Sequence, residues 1–154
     1  MTRWLLRGVA LIAALAAVAL LAARSLLRAS LPPLDGRLGV PLPAGAEAVT
    51  VLRDAAGLVT VEAGTQRDAA FGLGFAHGQD RYFQMDLSRR LAAGELAALF
   101  GASAVEQDQL ARLFRFRAVA RRELAAATAA ERAWLDAYVA GVNAGLGSLR
   151  SRPW

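Results

Sequence analysis

The chain of 154 residues has no cysteine and a single histidine, His77. Without cysteine it can form neither a disulfide bond nor a metal site with thiolate ligands. One histidine excludes a metal site built from several imidazoles. The sequence also lacks a Gly-x-Ser-x-Gly nucleophile elbow and a phosphate-binding glycine loop, since the glycines at positions 72, 74 and 78 have the wrong spacing.

Lysine is absent as well, so all 18 basic residues are arginines, and the net charge is +5. A basic chain can bind nucleic acid or anionic lipid. Here the arginines are scattered along the chain among Asp and Glu, and no arginine stripe with interleaved aromatics occurs. We therefore expect surface ion pairs and no nucleic-acid partner.

Residues 1–29 are predicted to be a signal peptide or a membrane anchor. Arg3 and Arg7 precede the apolar stretch Gly8–Ala23, and Arg24 follows it. This pattern is typical of export signals, although the stretch is shorter than the roughly 20 residues of a membrane span. No clear cleavage site follows it, so both a cleaved signal and an uncleaved anchor remain open. Either predicts an exported, periplasmic or extracytoplasmic protein that contacts the membrane through residues 8–23.

A linker and a β-hairpin are predicted next. Residues 30–47 contain four prolines and several glycines, which disfavour both helix and central strand. Val49–Leu52 and Val59–Glu62 each place valine at every second position, which predicts two strands of a hairpin over Ala48–Ala63. Asp54 and Gly57 are suited to the turn. A two-stranded ribbon is marginal alone, so it needs further strands that this chain does not supply.

Three helical segments are predicted after Thr65, which is suited to cap the first. The first runs to near Gly101, with a break or kink at Gly94. Its apolar stripe consists of Phe71, Phe75, Gly78, Tyr82 and Met85. Gly72, Gly74 and Gly78 are poor helix formers, and we expect them to allow close approach of another backbone.

Capping boxes predict the starts of the second and third segments, at Ser103–Glu106 and Thr128–Glu131. The apolar face of the second includes Leu110, Leu113 and Phe114. That of the third consists of Leu135, Tyr138, Val142 and Leu146, and Gly147 is a suitable stop.

The polar residues of His77–Met85 lie close to a wide apolar face. A buried charge must be paired, so we expect Gln79, Asp80, Arg81 and Gln84 to form a polar network that orders helix packing. His77 is expected to be a packed helix residue and not a catalyst. Asp86 precedes Arg89 and Arg90 at helical spacing, which predicts ion pairs.

The same region strongly resembles the start of the penicillin acylase family. The likeness lies in Val51–Asp54, Gly57–Val59, Asp68–Arg90, Gly94–Leu96, Gly101, Asp108, Arg112 and Ala137–Ala144, with Pro33–Gly36 upstream. Residues of this pattern that we expect to be structural are Arg53, Asp54, Gly57, Gln79, Asp80, Arg81, Gln84, Met85, Arg89, Arg90 and Asn143. It assigns residues 48–154 to part of the family's α chain.

The resemblance implies an α+β fold, as the N-terminal part of a four-layer αββα N-terminal-nucleophile hydrolase. Such enzymes are exported precursors that cut themselves into an α chain and a β chain. The first residue of the β chain is a serine that attacks the amide of an acylated amine, such as a penicillin, a cephalosporin or an N-acyl homoserine lactone. Calcium usually binds between the two chains.

No catalytic, substrate-binding or metal-binding residue can be carried over to this chain. Its Gly-Ser pair, Gly147-Ser148, is not followed by the Asn of the nucleophile motif. We therefore expect an inactive N-terminal fragment whose partners are the downstream α-chain remainder and the β chain. The alternative is a membrane-anchored helical module that binds a partner without catalysis.

Overall fold

The protein is described by a computed structural model that covers residues 2–40, 42 and 47–149. Its elements are helix α1 (Thr2–Ala29), strands β1 (Thr50–Arg53) and β2 (Val59–Glu62), and helices α2 (Gln66–Asp80), α3 (Tyr82–Ala93), α4 (Ala97–Phe100), α5 (Val105–Leu113), α6 (Phe116–Ala126) and α7 (Ala129–Gly147). A short 3-10 turn, Gly101–Ala104, joins α4 to α5. The α+β class is confirmed. Part of the predicted linker, residues 41 and 43–46, lies outside the described residues, as do residues 150–154.

Helix α1 is continuous from Thr2 to Ala29. Its large apolar side chains between Val9 and Leu21 are 61–72% exposed. By length and composition, the segment Leu6–Ala29 could cross a membrane. A signal sequence meets the same criteria, so the two readings of the N-terminus remain open at this level.

The hairpin forms as predicted, with Val51 paired to Val61 across two antiparallel strands. The Asp54 carboxylate accepts hydrogen bonds from the backbone N–H groups of Ala56 (2.9 Å) and Leu58 (2.8 Å). Gly57 has a φ of 80°, which favours glycine.

The most extensive contact between elements in the described residues joins α2 to α7. Phe71 lies against Gly141, and four residues later on both helices Phe75 lies against Gly145. Residue numbers therefore increase in the same direction along α2 and α7, so the helices run parallel. Phe71 and Ala137, each 2% exposed, form the core of the contact with Ala70. The predicted apolar stripe is therefore confirmed at its first residue, Phe71, which is buried against α7.

Four glycines allow α2 and α7 to touch backbone to backbone. A Cβ placed on Gly74 or Gly78 would clash with a carbonyl oxygen of α7, and one on Gly141 or Gly145 would clash with a carbonyl oxygen of α2. Such spacing brings the glycine Cα–H groups against carbonyls of the partner helix. The predicted close approach is confirmed at Gly74 and Gly78.

A different face of α2 carries the hairpin. A Cβ on Gly72 would lie 2.6 Å from the Cγ1 atoms of both Val49 and Val61. Gly72 therefore allows close packing of valine side chains from the hairpin, whereas the other glycines of α2 allow close packing of the α7 backbone. Because α2 contacts the hairpin on one face and α7 on another, it is the central element of the described part of the chain.

The first predicted helical segment is divided twice. Arg81 (φ −131°, ψ 9°) separates α2 from α3, while its N–H still donates to the His77 carbonyl. Gly94 (φ 68°) ends α3, as the sequence predicted. The division at Arg81 has no glycine or proline to mark it, so the pattern did not reveal it.

The second predicted segment begins differently from the prediction. Its capping box is wrong, because Ser103 lies within the 3-10 turn and its hydroxyl donates to the Phe100 carbonyl (2.9 Å). Helix α5 starts at Val105 without a side-chain cap. Arg115 (φ 53°) then divides the segment into α5 and α6.

The apolar face predicted for the second segment points outward. Leu110, Leu113 and Phe114 are 51%, 76% and 61% exposed, whereas Asp108 and Ala111 are buried. The part of the chain that the structure describes therefore leaves this apolar face uncovered.

The third segment begins as predicted, but its predicted apolar stripe is wrong at Leu135, which is 38% exposed. Thr128 and Glu131 form the capping box, with both reciprocal hydrogen bonds present. Helix α7 includes Gly147 as its last residue. Its closest contacts with α2, however, involve Gly141 and Gly145 rather than large apolar side chains.

We predict that Gly141→Ala destabilises the protein, because the new methyl group would meet the Phe71 carbonyl inside van der Waals distance. Overpacking of this kind typically costs about 1–3 kcal/mol. The matched control is Gly147→Ala on the same helix, where nothing lies within 4 Å of the added Cβ. Thermal unfolding should show a lower melting temperature for the first variant only; equal melting temperatures would contradict the glycine contact.

Candidate functional site

Two of the four predicted network residues, Gln79 and Asp80, meet at the end of α2 in a group that we call the Arg53 cluster. It consists of Arg53, Gln79, Asp80 and Ser148. Arg53 Nη2 donates to Gln79 Oε1 (3.0 Å) and to Asp80 Oδ2 (2.9 Å). The Arg53 side chain is 14% exposed and that of Asp80 33%. The half-buried guanidinium thus has a charged and a neutral partner, which offsets its desolvation.

Gln79 extends this cluster to the end of α7. Its Nε2 donates to Ser148 Oγ at 3.0 Å, and Ser148 Oγ donates in turn to the Gly145 carbonyl at 2.7 Å. Gln79 is 7% exposed, and both ends of its amide are bonded. The cluster therefore ties β1, α2 and α7 together. The predicted network is found for Gln79 and Asp80 but is wrong for Arg81 and Gln84, which are exposed and take no part in it.

Ser148 is not arranged as a nucleophile. Its one hydroxyl proton goes to a backbone carbonyl, whereas an activated serine gives its proton to a base. Among the described residues, Ser148 Oγ bonds Gln79 and the Gly145 carbonyl and not His77, whose Nδ1 lies 2.9 Å from the Tyr138 hydroxyl with the two rings edge to face. The expectation that His77 packs within the helix pair agrees with this contact.

A second polar group joins α3 to α6. Asp86 binds Arg89 and Arg90, each at 2.7 Å, which confirms the predicted pairs. Glu95 binds Arg117 at 2.6 Å and lies 3.6 Å from Arg89. Hydrogen bonds from Arg90 and then Arg89 hold the pKa of Asp86 below its ordinary value of 3.8. The hydrogen bond from Arg117 likewise lowers the pKa of Glu95.

Asp108 holds the turn after α3, a role that the sequence analysis did not assign. Its two carboxylate oxygens accept from the N–H groups of Leu96 and Ala97, both at 2.8 Å, and the residue is 5% exposed. Arg112 Nε donates to the Gly94 carbonyl at 3.0 Å. A carboxylate that caps a turn eleven and twelve residues earlier leaves no local signal, so spacing rules could not have found it.

The other residues of the family pattern are dispersed. Asp54 and Gly57 form the hairpin turn, away from the cluster's hydrogen bonds. Arg81 Nη1 donates to Gln84 Oε1 at 3.3 Å, and both residues are exposed. Met85 is half-buried, and Asn143 is exposed on α7. Their geometry gives none of them a chemical role.

Calcium was expected in the longer protein by resemblance, and the described residues do not fit a site for it. No group of three or more His, Cys, Asp or Glu able to hold a metal ion occurs among them. The buried carboxylate of Asp108 is already saturated by backbone N–H groups. The described residues therefore do not form a complete calcium site by themselves.

The comparison with protein families agrees with this geometry. A family model described as penicillin amidase matches residues 48–154, which include the hairpin, the Arg53 cluster and both glycine-bearing helices. The chain belongs to the penicillin amidase family. The resemblance drawn from the sequence pattern is thereby confirmed.

Relatives within the penicillin amidase family carry two kinds of name. Penicillin acylase 2 proenzyme of Pseudomonas sp. (strain SE83) is 47% identical over 126 residues, which cover 81% of this chain and 16% of that protein. Acyl-homoserine lactone acylase QuiP of Pseudomonas aeruginosa is 37% identical over 123 residues, which cover 80% of this chain and 14% of that protein. The chain thus spans about one sixth of the length of these curated relatives.

A solved structure shows the same likeness in three dimensions. The thermostable penicillin G acylase from Alcaligenes faecalis aligns with a TM-score of 0.61 at 36% identity. The alignment covers 69% of this chain and 56% of the other. The arrangement of hairpin and helices is therefore that of a penicillin amidase segment.

We predict that Arg53→Met destabilises the protein by about 1–3 kcal/mol, because Gln79 and Asp80 would lose their shared partner. Arg122→Met, at an exposed position of α6, is the matched control and should change stability by less than about 0.5 kcal/mol. Denaturant unfolding compares the two. Equal effects would show that the Arg53 cluster adds nothing to the fold.

We also predict an acid-dependent contribution from Asp86. Because its pKa is lower in the folded protein, the stabilisation is fully present above pH 3.8 and is lost as the pH falls through the lower folded-state pKa. Asp86→Asn should therefore melt below wild type at neutral pH, with a difference that shrinks under acid. A difference independent of pH would contradict this assignment.

Proposed function

We propose that this chain is the N-terminal part of a longer, exported amidohydrolase that cleaves the amide bond of acylated amines. Membership of the penicillin amidase family is the observation that carries the proposal. One relative is named a penicillin acylase and another an acyl-homoserine lactone acylase, so the two names indicate different amines. Both names indicate removal of an acyl group. We therefore propose an N-acyl amide as the substrate class and leave the amine unspecified.

The proposed reaction uses a serine that becomes the first residue of a second chain after self-cleavage. Its hydroxyl attacks the amide carbonyl while its own α-amino group takes the proton. An oxyanion hole stabilises the tetrahedral intermediate, the C–N bond breaks, and the amine leaves with the proton. Water then hydrolyses the acyl ester, which releases the acid and the free serine.

We place that serine downstream of this chain. Three observations support the placement: the bonding of Ser148 to a carbonyl, the pairing of His77 with Tyr138, and the small share of the relatives' length that the chain spans. In this proposal the chain's own residues act as scaffold. The Arg53 cluster and the glycine contact hold the hairpin, α2 and α7 in a fixed arrangement, and the downstream chain packs against that arrangement.

The exposed apolar side chains of α5 and its neighbours also support a scaffold role for this chain within a longer protein. Leu113 and Phe114 are 76% and 61% exposed, and Phe114 stacks on Phe116, which is 50% exposed. In a longer protein such a surface would be covered by further chain. A helical module that binds a separate partner would also explain the exposed surface, but it gives no reason for the penicillin amidase match.

The test compares two products: the 154-residue chain and the product of the reading frame extended beyond codon 154, which we call the full-length protein. Chromogenic amides with phenylacetyl and long-chain acyl groups are the probes. We expect hydrolysis by the full-length protein, two chains on a denaturing gel, and no hydrolysis by the 154-residue chain. Hydrolysis by the short chain would contradict the proposal.

Serine variants of the full-length protein give the matched control. Ser148→Ala should retain both self-cleavage and hydrolysis, because this hydroxyl serves the Gly145 carbonyl. Replacement of the serine found at the start of the second chain should abolish both. Loss of hydrolysis in Ser148→Ala, with the fold intact by circular dichroism, would place the nucleophile here instead. A verified stop after codon 154 with a stable monomer would favour the partner-binding module.

A further inference from the structure

We propose that α1 remains on the mature protein as a transmembrane anchor, and that its Arg24–Arg28 end binds the phosphate groups of membrane lipids. The proposal rests on the proposed function only for export of the chain. It chooses between the two N-terminal readings that composition leaves open. It also assigns a ligand to the positively charged end of α1 at Arg24 and Arg28.

The spacing of the interfacial residues on α1 matches a bilayer. Trp4 and Arg24 are twenty residues apart, which corresponds to about 30 Å along a helix. This equals the typical hydrocarbon thickness of about 30 Å. Arg7 lies within this interval, but only about 5 Å from Trp4 along the axis, so its long side chain can extend to the headgroups. Tryptophan favours the membrane boundary, and arginine extends its charged end to the headgroups. Trp4 is 78% exposed, so its indole is free to occupy that position.

The continuity of α1 favours retention over cleavage. The helix continues for six residues beyond the apolar stretch and ends where the Ser30 hydroxyl donates to the Leu27 carbonyl at 2.7 Å. Within α1 the Ala-x-Ala triplets are Ala14–Ala16 and Ala17–Ala19, both in the middle of the apolar stretch, and the next ones, Ala44–Ala46 and Ala46–Ala48, begin more than twenty residues after its end. A cleaved signal carries its small-residue site after the apolar region instead.

The last turns of α1 present a cationic surface. It is formed on one helix by Leu21, Arg24, Ser25, Arg28 and Ala29. Arg24 and Arg28 are four residues apart and share one face of the helix. Neither guanidinium forms a salt bridge within residues 2–40, 42 and 47–149. Two such groups beside a hydroxyl provide the planar donors that bind phosphate well.

The neighbouring apolar surface points to a lipid phosphate rather than a free one. Leu21 and Leu26 are 64% and 49% exposed next to the arginines. Free phosphate would leave these side chains in water, whereas a phospholipid covers them with acyl chains while its headgroup meets Arg24 and Arg28. One phospholipid thus both pairs the arginines with its phosphate and covers the leucines with its acyl chains.

The test uses the full-length protein purified from membranes in detergent. Mass spectrometry of its N-terminal peptides should recover residues from α1, including Trp4, on the mature protein. A mature chain that begins after Ala23 would overturn the proposal. Neither result depends on amidase activity, so a protein that keeps α1 but hydrolyses no acyl amide would overturn the proposed function and not the anchor.

Native mass spectrometry with added phosphatidylglycerol tests the headgroup site on the same protein. Arg24→Gln/Arg28→Gln should reduce bound lipid by about fivefold per arginine. The control pair Arg121→Gln/Arg122→Gln, exposed on α6, should retain wild-type binding. Inorganic phosphate at millimolar concentration should not compete. Equal lipid binding by both variants, or displacement by free phosphate, would overturn the headgroup assignment.

Discussion

The close parallel contact of α2 with α7 is the constraint on which the rest of the described structure depends. Gly74 and Gly78 on one helix, and Gly141 and Gly145 on the other, bring backbone against backbone. With α7 held there, Ser148 at its end reaches Gln79, and the Arg53 cluster closes. The cost of glycine in a helix, about 1 kcal/mol each, is offset by this packing.

Much of this fold could be predicted, because several of its signals are local. Valine alternation predicted the strands, Asp54 and Gly57 the turn, and Thr65 and Thr128 the helix starts, since each effect acts within about four residues. The glycines of α2 predicted a backbone contact but not its partner. Nothing in the sequence pairs Gly74 with α7, since the two are more than sixty residues apart.

The errors lie where local rules compete. Ser103 and Glu106 have the spacing of a capping box, yet the 3-10 turn uses the serine hydroxyl for a carbonyl behind it. Arg81 and Arg115 divide helices without glycine or proline, and Asp108 caps a turn from a distant helix. Gln79 and Asp80 were correctly predicted to join a polar network because a buried charge needs partners, whereas Arg81 and Gln84, predicted with them, are exposed. That Arg53 of the hairpin supplies this partner follows only from the folded arrangement.

Helix α2 holds both the hairpin and α7, so loosening one helix contact should release all three elements. Hydrogen exchange of the full-length protein measures this directly in wild type and in Gly74→Ala. We expect faster exchange in α7 and in the hairpin, residues 50–62, as well as in α2, while exchange in α6 is unchanged. Faster exchange confined to α2, with α7 and the hairpin as protected as in wild type, would contradict this expectation.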